Sequence, residues 1–190
     1  MLRNFIAVAA IFFITACSMP ETKIYNLDIP VEQGSIHATA DDSLVIRADV
    51  PRYLAQPYIA YRNSPYQKEI SRYSKWDASP KVMVSEGLKG SLFSTGLFRE
   101  VKILNIVPKG FYLLDMNLKR FERLDEGNKS FGELVLDVVF ITPESKELYR
   151  GRISKKVELD DQSFLSLAKG LSVALNEAIE EVKDNITKVL

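Results

Sequence analysis

The sequence predicts an α/β fold in which a mixed, largely antiparallel sheet and two main helices form three layers. Three observations support this prediction. Several segments alternate apolar and polar residues, a period of two that is typical of strands. Two further segments repeat apolar residues at every third or fourth position, which is typical of amphipathic helices. Apolar residues make up 46% of the chain and charged residues 26%, as in ordinary globular proteins.

The first sixteen residues predict an export signal that is removed from the mature protein. Arg3 gives a positively charged start, residues 5–14 are an unbroken apolar run, and Ala16 is a small residue at the end of the segment. Ten apolar residues form a helix of about 15 Å, about half the thickness of the hydrocarbon core of a bilayer. The run is therefore too short for a permanent transmembrane anchor.

Residues 14–17, Ile-Thr-Ala-Cys, resemble the lipobox of bacterial lipoproteins. The resemblance implies cleavage between Ala16 and Cys17, and attachment of acyl chains such as palmitate to Cys17, which is the only cysteine of the chain. Stable attachment needs more than one acyl chain. Ser18 after the cysteine, where an Asp would retain the protein in the inner membrane, implies sorting to the outer membrane. A plain secretory signal followed by a chance cysteine is the alternative.

Length and charge limit what the mature chain can be. We expect a lipidated tether at residues 17–22 and a single domain at residues 23–190, a length that is adequate for one hydrophobic core. The formal net charge of the whole chain is +0, so no electrostatic argument supports binding to nucleic acid. Apart from the covalent lipid on Cys17, we expect no cofactor.

The first strands are predicted at residues 24–27 and 44–50, where apolar residues alternate with polar ones and prolines follow. A polar loop, residues 32–42, lies between them and contains His37, the only histidine. A metal site needs several ligands, and His37 has neither a second histidine nor a free cysteine to complete one. We therefore expect no metal site, and we expect His37 to be a solvated loop residue.

Five of the eight tyrosines and the only tryptophan lie between residues 53 and 76. Residues 58–61 and 66–73 predict the two strands of a hairpin, joined by a turn-forming segment at 62–65. Three explanations of the aromatic residues remain open: core and sheet surface, a protein–protein interface, and a stacking platform for sugars or bases. The candidate interface residues are Tyr58, Tyr61, Tyr73 and Trp76.

A helix is predicted from residue 80 to 95. Ser79 fits an N-cap that is followed by proline at the first helical position. Gly87 and Gly90 lower the intrinsic stability of this helix, so we expect it to be held by docking on the sheet. Gly96 is expected to end it. One face carries Val84, Leu88 and Leu92.

Four motifs, which follow the lipobox in a fixed order, resemble the PqiC-like family of ABC-type transport auxiliary lipoproteins. They are Ile24-Tyr25-Asn26-Leu27, Val50-Pro51-Arg52-Tyr53-Leu54, Arg72-Tyr73-Ser74-Lys75-Trp76-Asp77-Ala78-Ser79-Pro80 and Thr95-Gly96-Leu97-Phe98. The resemblance implies an anticodon-binding-domain-like fold. It also implies an outer-membrane lipoprotein that meets an MCE-domain protein and an ABC transporter, with self-association into a ring as a further possibility.

The second half of the chain predicts four more strands, at residues 98–107, 114–118, 134–140 and 148–159. The third of these is apolar on both faces and is expected to be central. The last carries a basic stripe of Arg150, Arg152 and Lys156. Such a stripe is either a solvated sheet face or a surface for an acidic partner or lipid head groups.

The longest helical pattern covers residues 162–188 and follows Asp160 and Asp161, which suit the start of a helix. Its single apolar stripe predicts packing on the sheet. A helix that lies in the membrane interface would carry basic residues on its polar face, whereas this polar face is largely acidic.

The sequence offers little catalytic chemistry. It lacks a Gly-rich phosphate loop, a second cysteine and a nucleophile with a convincing base. We therefore expect a docking and assembly module that is not an enzyme. The alternative is a lipid-anchored carrier that holds a lipid or hydrophobic solute in its own pocket, and an envelope hydrolase is a third, weaker hypothesis.

Overall fold

The computed structural model describes residues 21–29 and 42–190. Ala16, Cys17 and His37 lie outside these residues, so their predicted roles stay predictions. The secondary structure elements, in chain order, are β1 (Lys23–Tyr25), β2 (Ser43–Asp49), a 3₁₀ helix (Arg52–Ala55), β3 (Tyr58–Ser64), β4 (Gln67–Trp76), α1 (Pro80–Ser94), β5 (Glu100–Ile103), β6 (Tyr112–Glu126), β7 (Lys129–Ile141), β8 (Glu147–Glu158) and α2 (Phe164–Val189).

The eight strands form one mixed sheet around β6. On one edge of β6, β2 runs parallel along residues 112–117 and β3 runs parallel at residues 123 and 124. On the other edge, β7 is antiparallel from residue 113 to residue 126, and β8 continues the sheet beyond β7. The β3–β4 hairpin and the central position of the strand predicted at 134–140 are both confirmed.

β6 is longer than the strand predicted at 114–118, because a bulge carries it past a break in the alternation. The register with β7 shifts between Leu118 and Arg120. The next core residue after Leu118 is therefore Phe121, three positions later. β5 is shorter than predicted, since only Glu100–Ile103 of the segment 98–107 pairs with β2.

Both helices begin at a serine that caps them. The Ser79 hydroxyl accepts a hydrogen bond from the Val82 N–H of α1, and the Ser163 hydroxyl accepts one from the Ser166 N–H of α2. Asp161 supports the second cap, since its carboxylate accepts a hydrogen bond from the Ser163 N–H at 2.8 Å.

α1 and α2 lie on the same face of the sheet and contact each other. A Cβ atom on Gly87 of α1 would be 2.8 Å from Cδ1 of Ile179 on α2, so the missing side chain allows the helices to approach closely. The described elements therefore form two layers of secondary structure, where three were expected. The prediction of an α/β fold, with a mixed and largely antiparallel sheet and two main helices packed on it, is confirmed.

One hydrophobic core fills the space between the sheet and the helices. Alternate residues of β2, β6, β7 and β8 face it, together with the apolar stripes of both helices, as their spacing predicts. Its largest fully buried side chains include Trp76, Phe98, Phe121 and Phe140.

Candidate interaction surfaces

One end of the sheet, formed by β1, β4 and β3, exposes several large apolar side chains. We call this surface the tyrosine edge and define it by Ile24, Tyr58, Ile70 and Tyr73, which are 65%, 38%, 39% and 46% exposed. Lys75 of β4 pairs with Ile24 on one side and with Tyr58 on the other. Since paired residues point to the same face of a sheet, these three side chains lie in one row across three strands.

Trp76 is a core residue, so the prediction that it belongs to an interface is wrong. It is 2% exposed, and its ring lies edge-on to Phe121 with 5.7 Å between the ring centroids. The alternation of side chains along β4 explains the difference, because Ser74 and Trp76 are buried while Lys75 between them is exposed. Of the three explanations given for the aromatic residues, the structure therefore favours the hydrophobic core for Trp76.

Tyr61 is only partly accessible. Its hydroxyl donates a hydrogen bond to Glu69 at 2.7 Å, and its ring centroid is 6.0 Å from that of Phe164 at the start of α2. The hydrogen bond to Glu69 is the main cause that raises the pKa of Tyr61. Of the four candidate interface residues, Tyr58 and Tyr73 are therefore the exposed ones, and their role in binding stays a prediction.

The basic stripe of β8 is paired with carboxylates on the same sheet face. Arg150 contacts Glu147 at 2.5 Å, and Lys156 contacts Glu126 at 2.7 Å. Arg152 is 2.6 Å from Asp137 and holds the pKa of that carboxyl below its usual range through a hydrogen bond. These ion pairs favour a solvated sheet face over a surface that is ready for an acidic partner.

A buried cluster of charges lies on the same face of the sheet, across the neighbouring strands β3, β6 and β7. The Arg62 guanidinium contacts Glu122 at 2.6 Å and Glu133 at 2.5 Å, and the Glu122 side chain is only 1% exposed. Lys68 is 2.7 Å from Glu122, and Arg120 is 2.8 Å from Glu133. Burial alone would lower the pKa of Arg62, but its hydrogen bonds to the two carboxylates outweigh burial and raise it. The cluster ties the hairpin to the long strands.

An open apolar groove of about 710 Å³ lies between α1 and β5. Val82 and Phe93 on its wall are 48% and 43% exposed, so the groove reaches the protein surface. The alternative carrier hypothesis expected a pocket, but the sequence did not identify its residues, because the lining comes from segments that are far apart in the chain. The other apolar lining residues include Ile29, Ala78, Met83 and Val101, and charged ones include Glu86, Lys89, Glu100 and Lys102.

Comparison with known proteins identifies the family. The sequence model described as "ABC-type transport auxiliary lipoprotein component" matches residues 25–183. The chain belongs to this auxiliary lipoprotein family. The predicted family membership is thereby confirmed, and with it the general assignment as a lipoprotein component that is auxiliary to ABC-type transport. No curated protein sequence matches the chain.

Two solved structures share the fold of this auxiliary lipoprotein. Protein XCC0632 from Xanthomonas campestris is 16% identical, with a TM-score of 0.74, and the match covers 87% of this chain and 96% of that one. An uncharacterized protein is 14% identical, with a TM-score of 0.66, and the match covers 87% of this chain and 99% of that one. At these identities the comparison establishes the fold alone.

Two kinds of site can be checked directly in the described part of the auxiliary lipoprotein, a metal site and a membrane-spanning helix. Between residues 21–29 and 42–190, no three His, Cys, Asp or Glu side chains come together in a way that could hold a metal ion. Within the same residues, no helix combines the length and the apolar character that crossing a bilayer requires. What these residues do present is the tyrosine edge, the groove and the paired charges.

The buried tyrosine beside the charge cluster predicts a measurable loss of stability at high pH. Burial is the main cause that raises the pKa of Tyr53, and the Glu122 carboxylate, 3.3 Å from its hydroxyl, raises it further. The neutral phenol is therefore favoured in the folded state. The stabilisation of the folded state that this raised pKa provides is complete below the unfolded pKa of about 10, and it decreases as the pH rises above that value.

Urea unfolding is measured from neutral pH to beyond the unfolded pKa of tyrosine. The free energy of unfolding is expected to fall less steeply with pH for Tyr53→Phe than for the wild type. Identical slopes would contradict the assignment.

Proposed function

We propose that this auxiliary lipoprotein is a lipid-anchored outer-membrane component of an envelope lipid transport system. Cleavage between Ala16 and Cys17 and acylation of Cys17 would attach it to the periplasmic face of the outer membrane. The folded domain would dock a periplasm-spanning MCE-domain protein, which connects to an ABC transporter in the inner membrane. ATP hydrolysis belongs to that transporter. The auxiliary lipoprotein itself needs neither catalysis nor a cofactor, and it could assemble into a homo-oligomeric ring.

The presence of two exposed apolar surfaces on one filled core is the observation that carries this proposal. The tyrosine edge is formed by β1, β3 and β4, whereas the groove is formed mainly by α1 and β5. Exposed apolar surfaces of this kind commonly mark sites of interaction with proteins or membranes. A component that connects a membrane to a protein bridge needs two such contacts, and family membership supplies the transport system.

Crosslinking in intact cells, followed by purification of the auxiliary lipoprotein from membranes, tests the docking role. We expect an MCE-domain protein among the crosslinked products of the wild type. Recovery of the auxiliary lipoprotein without any transporter component, under conditions where that component is expressed, would contradict the proposal.

The groove favours a second candidate function, in which the auxiliary lipoprotein carries a lipid or hydrophobic solute. Its volume of about 710 Å³ lies within the usual range of ligand pockets, about 300–1,000 Å³. Its walls are mostly apolar, and Lys89 and Lys102 could meet an anionic head group. Each lysine already contacts a carboxylate, however, since Lys89 is 3.2 Å from Glu86 and Lys102 is 2.7 Å from Glu100. The walls therefore support an apolar ligand more strongly than a charged one.

A Gly90→Phe variant separates the two functions. Gly90 lines the groove, and a Cβ atom at this position would meet no atom within 4 Å, so a larger side chain can occupy the groove. Replacing glycine in a helix interior also favours the helix. The variant is expected to fold with an unchanged or higher Tm.

If the carrier hypothesis holds, the amount of lipid extracted from the Gly90→Phe variant, measured by mass spectrometry, is expected to fall to background. Lys188→Phe, on the exposed last turn of α2, is the control. Unchanged lipid content in Gly90→Phe would contradict the carrier hypothesis.

A further inference from the structure

The tyrosine edge differs from the rest of the sheet in the pairing of its cations. On β6 and β8, Arg120, Arg152 and Lys156 each contact a carboxylate. At the tyrosine edge, Lys23, Arg72 and Lys75 are exposed, and within residues 21–29 and 42–190 none of them has a carboxylate partner. The cations of the edge are therefore not held in ion pairs, although the exposed Glu21 and Asp77 lie two residues from Lys23 and Lys75, whereas the cations of the β8 stripe are each paired.

Of these cations, Lys75 shares a sheet face with the exposed apolar residues, whereas Lys23 pairs with the buried Ser74 and points to the other face of the edge. The row across β1, β4 and β3 places Lys75 directly between Ile24 and Tyr58, and Tyr73 lies two residues before Lys75. Tyrosines at the level of lipid head groups, with basic residues beside them, are typical of surfaces that contact a membrane. Cations without an ion pair also favour an anionic partner over a basic one.

The tether places this edge close to the predicted anchor. Cys17 lies six residues before Lys23, the first residue of β1, so the chain between them spans at most about 20 Å. β1 is the strand that begins the fold, and it pairs with β4 at residues 74–76. An acylated Cys17 would therefore hold β1 and β4 near the bilayer surface, whatever orientation the domain adopts.

We propose that the tyrosine edge lies against the anionic head groups of the membrane that holds the lipid anchor. This inference depends on the anchoring in the proposed function, and it adds a defined orientation of the domain. It also changes the partner of Tyr58 and Tyr73 from a protein, as first predicted, to a lipid surface. In this orientation the membrane covers β1, β3 and β4, and the groove between α1 and β5 is the surface left for a protein partner.

Hydrogen exchange on the acylated mature protein tests this orientation. Among the described residues, no strand pairs with residues 67–73 of β4 on the side where β1 pairs with residues 74–76, so their outward-facing amides are expected to exchange readily. The protein is reconstituted in vesicles of phosphatidylcholine with or without phosphatidylglycerol. Exchange in β1 and β4 is expected to be slower in the anionic vesicles, and high salt is expected to remove the difference.

Charge reversal gives the decisive comparison. Each basic residue at an anionic surface contributes a factor of about five in affinity, so Arg72→Glu with Lys75→Glu is expected to lower the equilibrium constant of the contact by about 25-fold or more. The added protection should then disappear. Lys109→Glu with Lys146→Glu changes the net charge equally at two other exposed positions and is expected to leave the protection intact.

The possible failures are distinguishable. If the wild type attaches to both kinds of vesicle but β4 exchanges equally in both, the orientation is wrong while the anchor survives. Protection of β4 that develops only when a transporter protein is added would also overturn the inference, because it would make the edge a protein interface. If the acylated wild type attaches to neither kind of vesicle, the anchor of the proposed function fails as well.

Discussion

Replacing Arg62 with alanine is expected to lower the free energy of unfolding by about 3–5 kcal/mol. The guanidinium of β3 joins Glu122 of β6 and Glu133 of β7, at 2.6 Å and 2.5 Å, and so connects β3 to the two longest strands of the sheet. Without it, the two largely buried carboxylates keep only Lys68 and Arg120 as cationic partners among the described residues. Leaving a charge buried and incompletely paired is among the most destabilising changes that a single substitution makes. Urea denaturation followed by circular dichroism measures the effect.

Arg150→Ala is the matched control. Arg150 also contacts a glutamate at 2.5 Å on the same sheet face, but the two side chains are 66% and 45% exposed. Solvent screens such a pair, so this variant is expected to unfold at nearly the same urea concentration as the wild type. Equal losses in the two variants would show that burial of the Arg62 cluster has no special role in stability.

Trp76→Ala is expected to cost about 3–5 kcal/mol, which lowers the Tm of a chain of this size by about 6–20 °C. Trp76 fills the core against Phe121, and its removal leaves a cavity that the surrounding strands can close only in part. Tyr73→Ala, three residues earlier on the same strand, removes a side chain that is 46% exposed. Its cost is expected to be within about 1 kcal/mol.

The same pair of variants separates core from interface by function. At a temperature where both fold, Trp76→Ala is expected to bind membranes and partners as the wild type does, because its side chain reaches neither. Tyr73→Ala is expected to weaken contact at the tyrosine edge. A large stability loss in Tyr73→Ala, or selective loss of binding in folded Trp76→Ala, would contradict the assignment of the two residues. Thermal melts and vesicle flotation are the measurements.

Local periodicity predicted much of this fold. The helix at Pro80–Ser94 agrees closely with its prediction at 80–95, because its cap, its apolar face and the glycine that follows it all lie within a short stretch. The same holds for α2, although Ser163 rather than the preceding aspartates is the cap. β6 and β8 were recognised because a sheet with one wet face leaves a clean alternation in the sequence, and β7 was recognised as a strand that is apolar on both faces.

Features that depend on distant residues were harder to predict. The bulge between Leu118 and Arg120 ended the predicted strand early, because one extra residue inverts the alternation that marks a strand. The side of β4 that Trp76 occupies depends on where that strand meets β1 and β3, so an aromatic-rich segment alone did not separate core from surface. No local pattern brings Arg62 to Glu122 and Glu133, which lie 60 and 71 positions further along the chain.

The number of layers in the fold could not be predicted from local sequence patterns either. An amphipathic stripe predicts that a helix packs on a sheet, but it carries no information about which face of the sheet receives it. Here both helices share one face, and the small side of α1 at Gly87 meets Ile179 of α2. In the described part of the chain, the other face is lined with ion pairs instead of a third layer, and these pairs engage the basic stripe of β8.

The most direct test of the account is the location of the protein when Cys17 is replaced with serine. We expect the wild type in the outer-membrane fraction, with acyl chains on Cys17 detected by mass spectrometry and with a transporter component crosslinked to it. The Cys17→Ser variant should lose the acyl chains, leave the outer-membrane fraction and lose most of the crosslinked component, while its domain remains folded. An unacylated wild type that is free of membranes, or a Cys17→Ser variant that stays in the outer membrane with its partner, would contradict the anchored docking role.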